Sequence, residues 1–373
     1  MHSDRAATGV RVARAVAVAV VVAFLGEVLL VAAARVSGED PLRTRSWVHW
    51  DAYRYIDIAR QGYVESAEDP PASNTGWFPG FPGLIAAATR VAGVKPAVAG
   101  RAIALAALVA LLATLALILP PSGRASAGLA LLLAGFFPGF VYWHAVFPLS
   151  TCVFLSLAAI ALGASSRFAA GGACGAVAAF TYPTGFLAAA PLALLAVTTP
   201  GLSRSARVRA MVTGPGLVLA GLLAAGGVFR FSVGRWDAYV RYQQQFGQGL
   251  HNPLGVLSEH GLPLVAGGSA PQRLVAAQTL LATALLLLAA AAGLRLRATL
   301  RPVDVALLVH AALLWAFVNG AGPNVSIYRQ ASALVGVVPV LARLRPAVLA
   351  ALVAASLVVG WGVALLFFRD LVA

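Results

Sequence analysis

Carboxylates are scarce in this chain of 373 residues, and their placement narrows where chemistry could reside. Seven of the thirteen (Glu39, Asp40, Asp51, Asp57, Glu65, Glu68 and Asp69) fall between residues 37 and 78, and Asp237 and Glu259 fall between 230 and 271. Asp4 and Asp370 are terminal, and Asp304 follows Arg301–Pro302, where a carboxylate stabilises a first helical turn. Glu27 alone interrupts an apolar run. An acid at that depth is either functional or a hydrogen-bonded link to a neighbouring helix.

The densest polar stretch is HWDAYRYIDIARQGY, His49 to Tyr63. Helical spacing puts Asp51, Arg54, Tyr55 and Ile58 on one face and Tyr53, Asp57, Arg60 and Gln61 on another. An amphipathic helix along a membrane surface accounts for Tyr53, Tyr55 and Ile58, and Asp57 reads as the i, i+3 partner of Arg60. It does not account for a carboxylate placed directly after His49 and Trp50, so Asp51 is the candidate reactive group. Further on, NTGWFPGFPGLI carries Trp77 and Phe78, with Pro79 and Pro82 to bend the chain and Gly80 and Gly83 to let backbones approach.

These polar stretches sit in an extremely apolar frame: 60% hydrophobic residues, 11% charged and a mean hydropathy of +0.85. Apolar runs such as Val16–Val36, Ala97–Leu119, Val275–Leu294 and Pro346–Phe368 match the hydrocarbon thickness of a bilayer when helical. Helices satisfy their own backbone in lipid, so the expected fold is an all-α polytopic membrane protein, one domain over residues 1–373, with about eleven spans (ten to twelve). The net charge of +14 comes from arginines and the single Lys95, clustered in short loops such as Arg204/Arg207/Arg209, Arg295/Arg297/Arg301 and Arg343/Arg345. That is the positive-inside pattern of cytoplasmic loops and not a nucleic-acid stripe. The N-terminus reads as a retained first span with its start inside, since the apolar run exceeds a signal-peptide core. Residues 37–78, 230–271 and 319–330 then face the extracytoplasmic side. Trp143–Thr151 and Thr181–Gly185 join them if Gly80–Gly93, about 21 Å as a helix, does not cross a core of roughly 30 Å. An alanine- and arginine-rich chain with one lysine points to a high-GC bacterial genome and the plasma membrane.

Cys152 and Cys174 read as packing residues. The histidines are scattered, no phosphate-cradling glycine loop or nucleophile elbow is present, and NVS at Asn324–Ser326 is a three-residue glycosylation match. No cofactor or metal is called for. A far-side enzyme has no nucleotide supply, so an activated group would arrive on a lipid carrier, needing a groove for its tail and a cation for its phosphate. Arg329, at the outer end of SIYRQASALVGVVPVLA, has that placement and the planar fork that suits phosphate oxygens. Arg54, Arg60 and Arg241 compete for the role, each equally suited to a surface ion pair.

The stretch from His49 to Tyr63, followed by the Trp77–Pro82 element, resembles the first-loop signature of the PIG-V-like mannosyltransferases. The matching residues are Trp50, Asp51, Tyr55, Ile58, Ala59, Gly62 and Tyr63, then Trp77, Phe78, Pro79 and Pro82. GRWDAYVRYQQQFGQ resembles the family's outer-loop glutamine–aromatic element at Gln243 and Phe246, and SIYRQ its arginine element before a late span. The resemblance implies a GT-C type membrane glycosyltransferase that moves a sugar, expected to be mannose, from a polyprenyl phosphate to an acceptor hydroxyl with inversion. It makes Asp51 the general base, Arg329 (or Arg54 or Arg241) the donor-phosphate contact, and His49, Trp50, Tyr55, Trp77, Phe78, Gln243 and Tyr182 the substrate contacts. The chain departs from the family at Thr151, where an acid is common, and at Tyr182, where TYPTG replaces a Thr-Arg-Pro-x-Gly pattern. Expected partners are the polyprenyl-phosphate sugar, membrane lipids and an acceptor left open among glycolipid, glycan, protein and natural product, with no nucleic acid. The alternatives are a transporter or lipid-carrier flippase working through Glu27, and a non-catalytic assembly partner.

Overall fold

A computed structural model describes residues 2–66, 73–121, 123–322 and 326–371, with side chains from residue 9 onward. Glu68, Asp69 and Asn324 of the NVS triplet lie outside the described residues, as does the side chain of Asp4. Every regular element among the described residues is helical. The chain begins with α1 (His2–Val36), α2 (Asp51–Gln61), α3 (Gly80–Ala92), α4 (Pro96–Ile118), α5 (Arg124–Gly135) and α6 (Val141–His144). It continues through α7 (Leu149–Ala164), α8 (Phe168–Thr181), a 3-10 turn at Pro183–Ala188 and α9 (Ala189–Thr198). Next come α10 (Arg204–Met211), α11 (Leu217–Val233), α12 (Ala238–Gln244) and α13 (Pro253–Gly261). Last are α14 (Ala270–Arg295), α15 (Pro302–Gly320), α16 (Ile327–Ala331), α17 (Val338–Leu341) and α18 (Pro346–Phe368).

Among the described residues six helices, not the eleven expected, are long and apolar enough to cross a bilayer: Gly9–Val36, Pro96–Ile118, Arg204–Val233, Ala270–Arg295, Pro302–Gly320 and Pro346–Phe368. The third of these joins α10 to α11 through a π-helical stretch, Val212–Gly216, where Pro215 removes one backbone donor. Five further apolar helices have only 10–17 residues, at most about 26 Å, which falls short of a ~30 Å core. Proline breaks explain part of the shortfall: Pro148 opens α7, and Pro183 separates α8 from α9. Large apolar side chains such as Phe24, Leu223 and Val358 face outward on the long helices, each 65–73% exposed. A belt of that kind is a liability in water and natural in lipid.

Hydrogen bonds sort the helix ends into two groups. At the arginine-rich end, Arg11 donates to the Leu117 carbonyl at 2.9 Å, and Arg301 donates to the Ile118 carbonyl at 2.5 Å. These contacts bring the starts of α1 and α15 to the end of α4. Asp304, fully buried there, is held by Arg301 at 2.7 Å and by Arg343 at 2.5 Å, and it accepts from the Arg301 backbone. The first-turn carboxylate expected from sequence is thus also a tie between α15 and the start of α18.

At the opposite end the polar segments meet. The Val146 amide donates to the Trp47 carbonyl, and His49 lies 3.2 Å from Asp370 beyond α18. The α3 helix, with 13 residues, stays at this end and hands over to α4. Ala145–Thr151 and Tyr182 therefore share the end of the first loop, the arrangement expected if Gly80–Gly93 did not cross.

The core between the two ends is aromatic, with Trp47, Tyr142 and Trp143 fully buried. Glu27 belongs to it. Its carboxylate pairs with Arg101 of α4 and lies 2.9 Å from Nδ1 of the buried His144, while the Arg101 guanidinium sits 3.7 Å over the Trp47 ring. The bland reading of Glu27 is the one observed: it links α1 to α4 and α6. Cys152 is buried, Cys174 is half-buried, and both are free.

Candidate active site

Asp51 is the first residue of α2, and the preceding backbone is unusual. Trp50 has φ 45° and ψ −112°, a region that a residue with a side chain enters at a cost of order 1–3 kcal/mol. Its surroundings hold it there. The Trp50 ring meets Phe367 edge-on at 5.5 Å, His49 packs against Phe367 at 4.5 Å, and the second His49 nitrogen lies 3.1 Å from the Ser46 carbonyl. His49 and Trp50 form the back of the loop and are not among the residues lining the cavity that Asp51 faces. The sharp turn they enforce aims the Asp51 carboxylate the other way.

It points into a cavity of about 630 Å³ at the polar end, bounded by α2, residues 76–78, Tyr182, α12 with the loop after it, and the ends of α15 and α16. There Asp51 Oδ2 lies 2.5 Å from Arg329 Nη2, with the two side chains 28% and 11% exposed. The guanidinium stands 5.0 Å over the Phe147 ring, and its Nε is buried without a hydrogen-bond partner among the described residues. An arginine remains protonated in such surroundings. The site therefore holds one fixed cation and one carboxylate in contact, facing shared open space.

The other sequence candidates divide. Tyr55, Trp77, Phe78, Tyr182 and Gln243 line the same cavity as Asp51 and Arg329. Tyr55 is buried with its ring edge-on to Phe81 at 5.4 Å, and burial pushes its phenol well above the usual tyrosine range, so it stays a neutral donor. Gln243 donates to the Gly76 carbonyl at 3.0 Å, which ties α12 to the Trp77 segment. Arg54 lies outside the lining, with its guanidinium 5.5 Å from the Trp77 ring centre. Arg241 faces away, paired at 2.6 Å with Asp237 on the surface, and Arg60 is exposed. The expected Asp57–Arg60 pair is not formed: Arg60 is exposed and Asp57 half-buried, with no ion pair between them. On α2, Tyr55 and Ile58 are buried against the core while Tyr53 is 55% exposed, so only Tyr53 fits the expected membrane-surface packing. Thr151 is buried off the cavity, and Phe246 lines it.

Sequence reasoning missed Tyr239, Tyr242, His251 and Gln330, all on the cavity wall. Burial pushes the Tyr239 phenol above its ordinary range, and Phe78 packs on its ring at 4.9 Å. The signal available was the density of aromatics and amides between Tyr239 and His251, which contains no apolar run long enough for a span. The loop is clipped over the site by two bonds, from the Gly249 amide to the Ala321 carbonyl at 3.0 Å and from the His251 amide to the Gly320 carbonyl at 2.8 Å. No protein-family model matches the chain, and no curated protein matches it.

Proposed function

We propose that the protein is an integral membrane glycosyltransferase of GT-C-like architecture. It moves a sugar, in the first instance mannose, from a polyprenyl phosphate to an acceptor hydroxyl on the extracytoplasmic face. The carrying observation is the contact between Asp51 and Arg329 inside one cavity at the polar end of a helical membrane bundle. The acceptor oxygen attacks the anomeric carbon from the face opposite the phosphate while Asp51 takes the hydroxyl proton. A base in that position contributes typically 10²–10⁴-fold. The bond from the anomeric carbon to the phosphate oxygen breaks, and polyprenyl phosphate departs with the electron pair. Arg329 stabilises the growing charge on that oxygen, so the leaving group needs no proton. One attack from the opposite face inverts the anomeric centre.

The arginine-rich end supports a cytoplasmic N-terminus and an outward-facing cavity. The apolar wall at Ala316, Phe317 and Val318, on the last turns of α15, is where a lipid tail would reach the cavity from the membrane. What favours transfer over transport is the position of the acids: Glu27 is locked between Arg101 and His144, whereas Asp51 faces open volume. Membranes carrying the full chain, supplied with labelled polyprenyl-phosphate mannose, are expected to yield a labelled product. Asp51→Asn should abolish it at unchanged expression. Wild-type transfer by that variant would remove Asp51 from the role of base.

A further inference from the structure

We infer that Phe367, the penultimate residue of α18, positions Asp51 against Arg329: its buried ring fastens the strained turn before Asp51 to the aromatic framework that carries the cation. The inference deepens the transferase reading, on which only its catalytic consequence rests. Sequence brings the ring there. Gly360, Val363, Ala364 and Phe367 recur at i, i+3, i+4 and i+7, and all four are buried on one face of α18. Gly360 lets that face close: a Cβ there would lie 2.7 Å from the Phe140 ring, so α18 seats directly on the segment that carries Tyr142 and Phe147.

Fully buried, Phe367 has two groups of neighbours. Toward the base, its ring lies 4.5 Å from His49 and 5.5 Å from Trp50, whose φ of 45° starts α2 at Asp51. Toward the cation, it stands edge-on to Tyr142 at 5.9 Å. Tyr142 in turn packs on Phe147 at 5.7 Å and on Tyr328 at 6.0 Å. Phe147 is the ring under the Arg329 guanidinium, and Tyr328 precedes Arg329 in the chain. One path of rings therefore runs from the Asp51 turn to Arg329, and it crosses at Phe367. These rings sit at the ~4.5–7 Å separations, mostly edge to face, at which aromatic pairs attract. A close-packed interior passes a displacement on instead of absorbing it. The Trp50 backbone is strained, so it relaxes when the ring that opposes it is removed, and Asp51 moves with it. Arg329 has anchors of its own: the Ser332 hydroxyl donates to its carbonyl at 2.7 Å, and Gln278 donates to the Tyr328 carbonyl at 2.5 Å. Loss of the Phe367 ring thus displaces the base and leaves the cation near its place.

The test is a double-mutant cycle read by thermal unfolding of the full chain in lipid nanodiscs. The control background is Phe168→Leu, a like truncation of a buried ring at the far end of α8 from Tyr182. Asp51→Asn leaves Arg329 without its carboxylate and should lower Tm by roughly 2–4 °C in the wild type and in the control. In Phe367→Leu the same substitution should lower Tm by less than about half as much, because the pair is already displaced. With labelled polyprenyl-phosphate mannose, Phe367→Leu should cut kcat about 10- to 100-fold with donor KM within about threefold, while Phe168→Leu stays near wild type. If the leucine variant fails to assemble, Phe367→Met fills more of the same space and enters the same cycle. An additive cycle overturns the positioning role and leaves the transferase reading standing. Equal kcat losses in Phe367→Leu and Phe168→Leu overturn it too. A non-additive cycle in a wild type that leaves the donor intact upholds the positioning role and removes the transferase reading.

Discussion

Asp51 and Arg329 neutralise each other in this structure, and a lipid phosphate at the same guanidinium would have to share it with the carboxylate. Two anions a few ångströms apart repel by ~1 kcal/mol or more even where water screens them, enough to weaken binding severalfold. Asp51→Asn should therefore bind polyprenyl phosphate itself several times more tightly than wild type while transferring no sugar. Calorimetric titration in nanodiscs separates the two effects, and weaker binding by the variant would mean that the phosphate lies elsewhere. Arg329→Ala should do the opposite. Losing a hydrogen bond to a charged group costs roughly 1.5–3 kcal/mol, so the donor KM should rise about 10- to 100-fold, and more than the acceptor KM. Both residues were legible as types in polar outer segments. Their contact was not, because nothing local in Asp51–Gln61 or Ile327–Ala331 records which distant element each will face. Arg54 and Arg241 show the same limit, since only the fold decides which arginine turns inward and which pairs on the surface.

At the scale of elements, the cavity depends on two interruptions of helix. One is the turn at Trp50 that begins α2. The other is the break between α8 and α9, where Pro183 follows Tyr182 and Gly185 packs directly against α8. A Cβ on Gly185 would lie 2.2 Å from the backbone of Ala178, with no flexible side chain to give way. Gly185→Ala should force the 3-10 turn away from α8, lower stability by about 1–3 kcal/mol and displace Tyr182 from the cavity wall. Thermal unfolding in detergent would show the lower Tm, and an unchanged melt would mean that the two backbones separate freely. Sequence reading found α2 because aromatics and charges alternate there at helical spacing against an apolar background. On α12 it named Gln243 but passed over Tyr239 and Tyr242, whose place appears only when Gly76 and Gln243 bring that helix onto the Trp77 segment.

For the whole molecule, hydropathy made the membrane class and the polar loops legible, and it overcounted the spans. Apolar composition is shared by helices that cross lipid and by short helices packed inside the bundle. Length separates them, and length is set by breaks such as Pro148 and Pro183 that a sliding count runs across. The two ends carry the functional consequence. Arginines at one end are tied to carbonyls and Asp304, while the opposite end holds the cavity, so orientation in the membrane decides which compartment sees Asp51. With the basic end cytoplasmic, the fully exposed Leu250 lies outside and Ala298, in the 3-10 turn between α14 and α15, lies inside. In a background with Cys152 and Cys174 replaced by alanine, Leu250→Cys should react with a membrane-impermeant maleimide in intact cells. Ala298→Cys should react only after permeabilisation. The reverse pattern would put the cavity in the cytoplasm, where a nucleotide sugar could serve as donor, and the argument for a lipid-carried sugar would lose its premise.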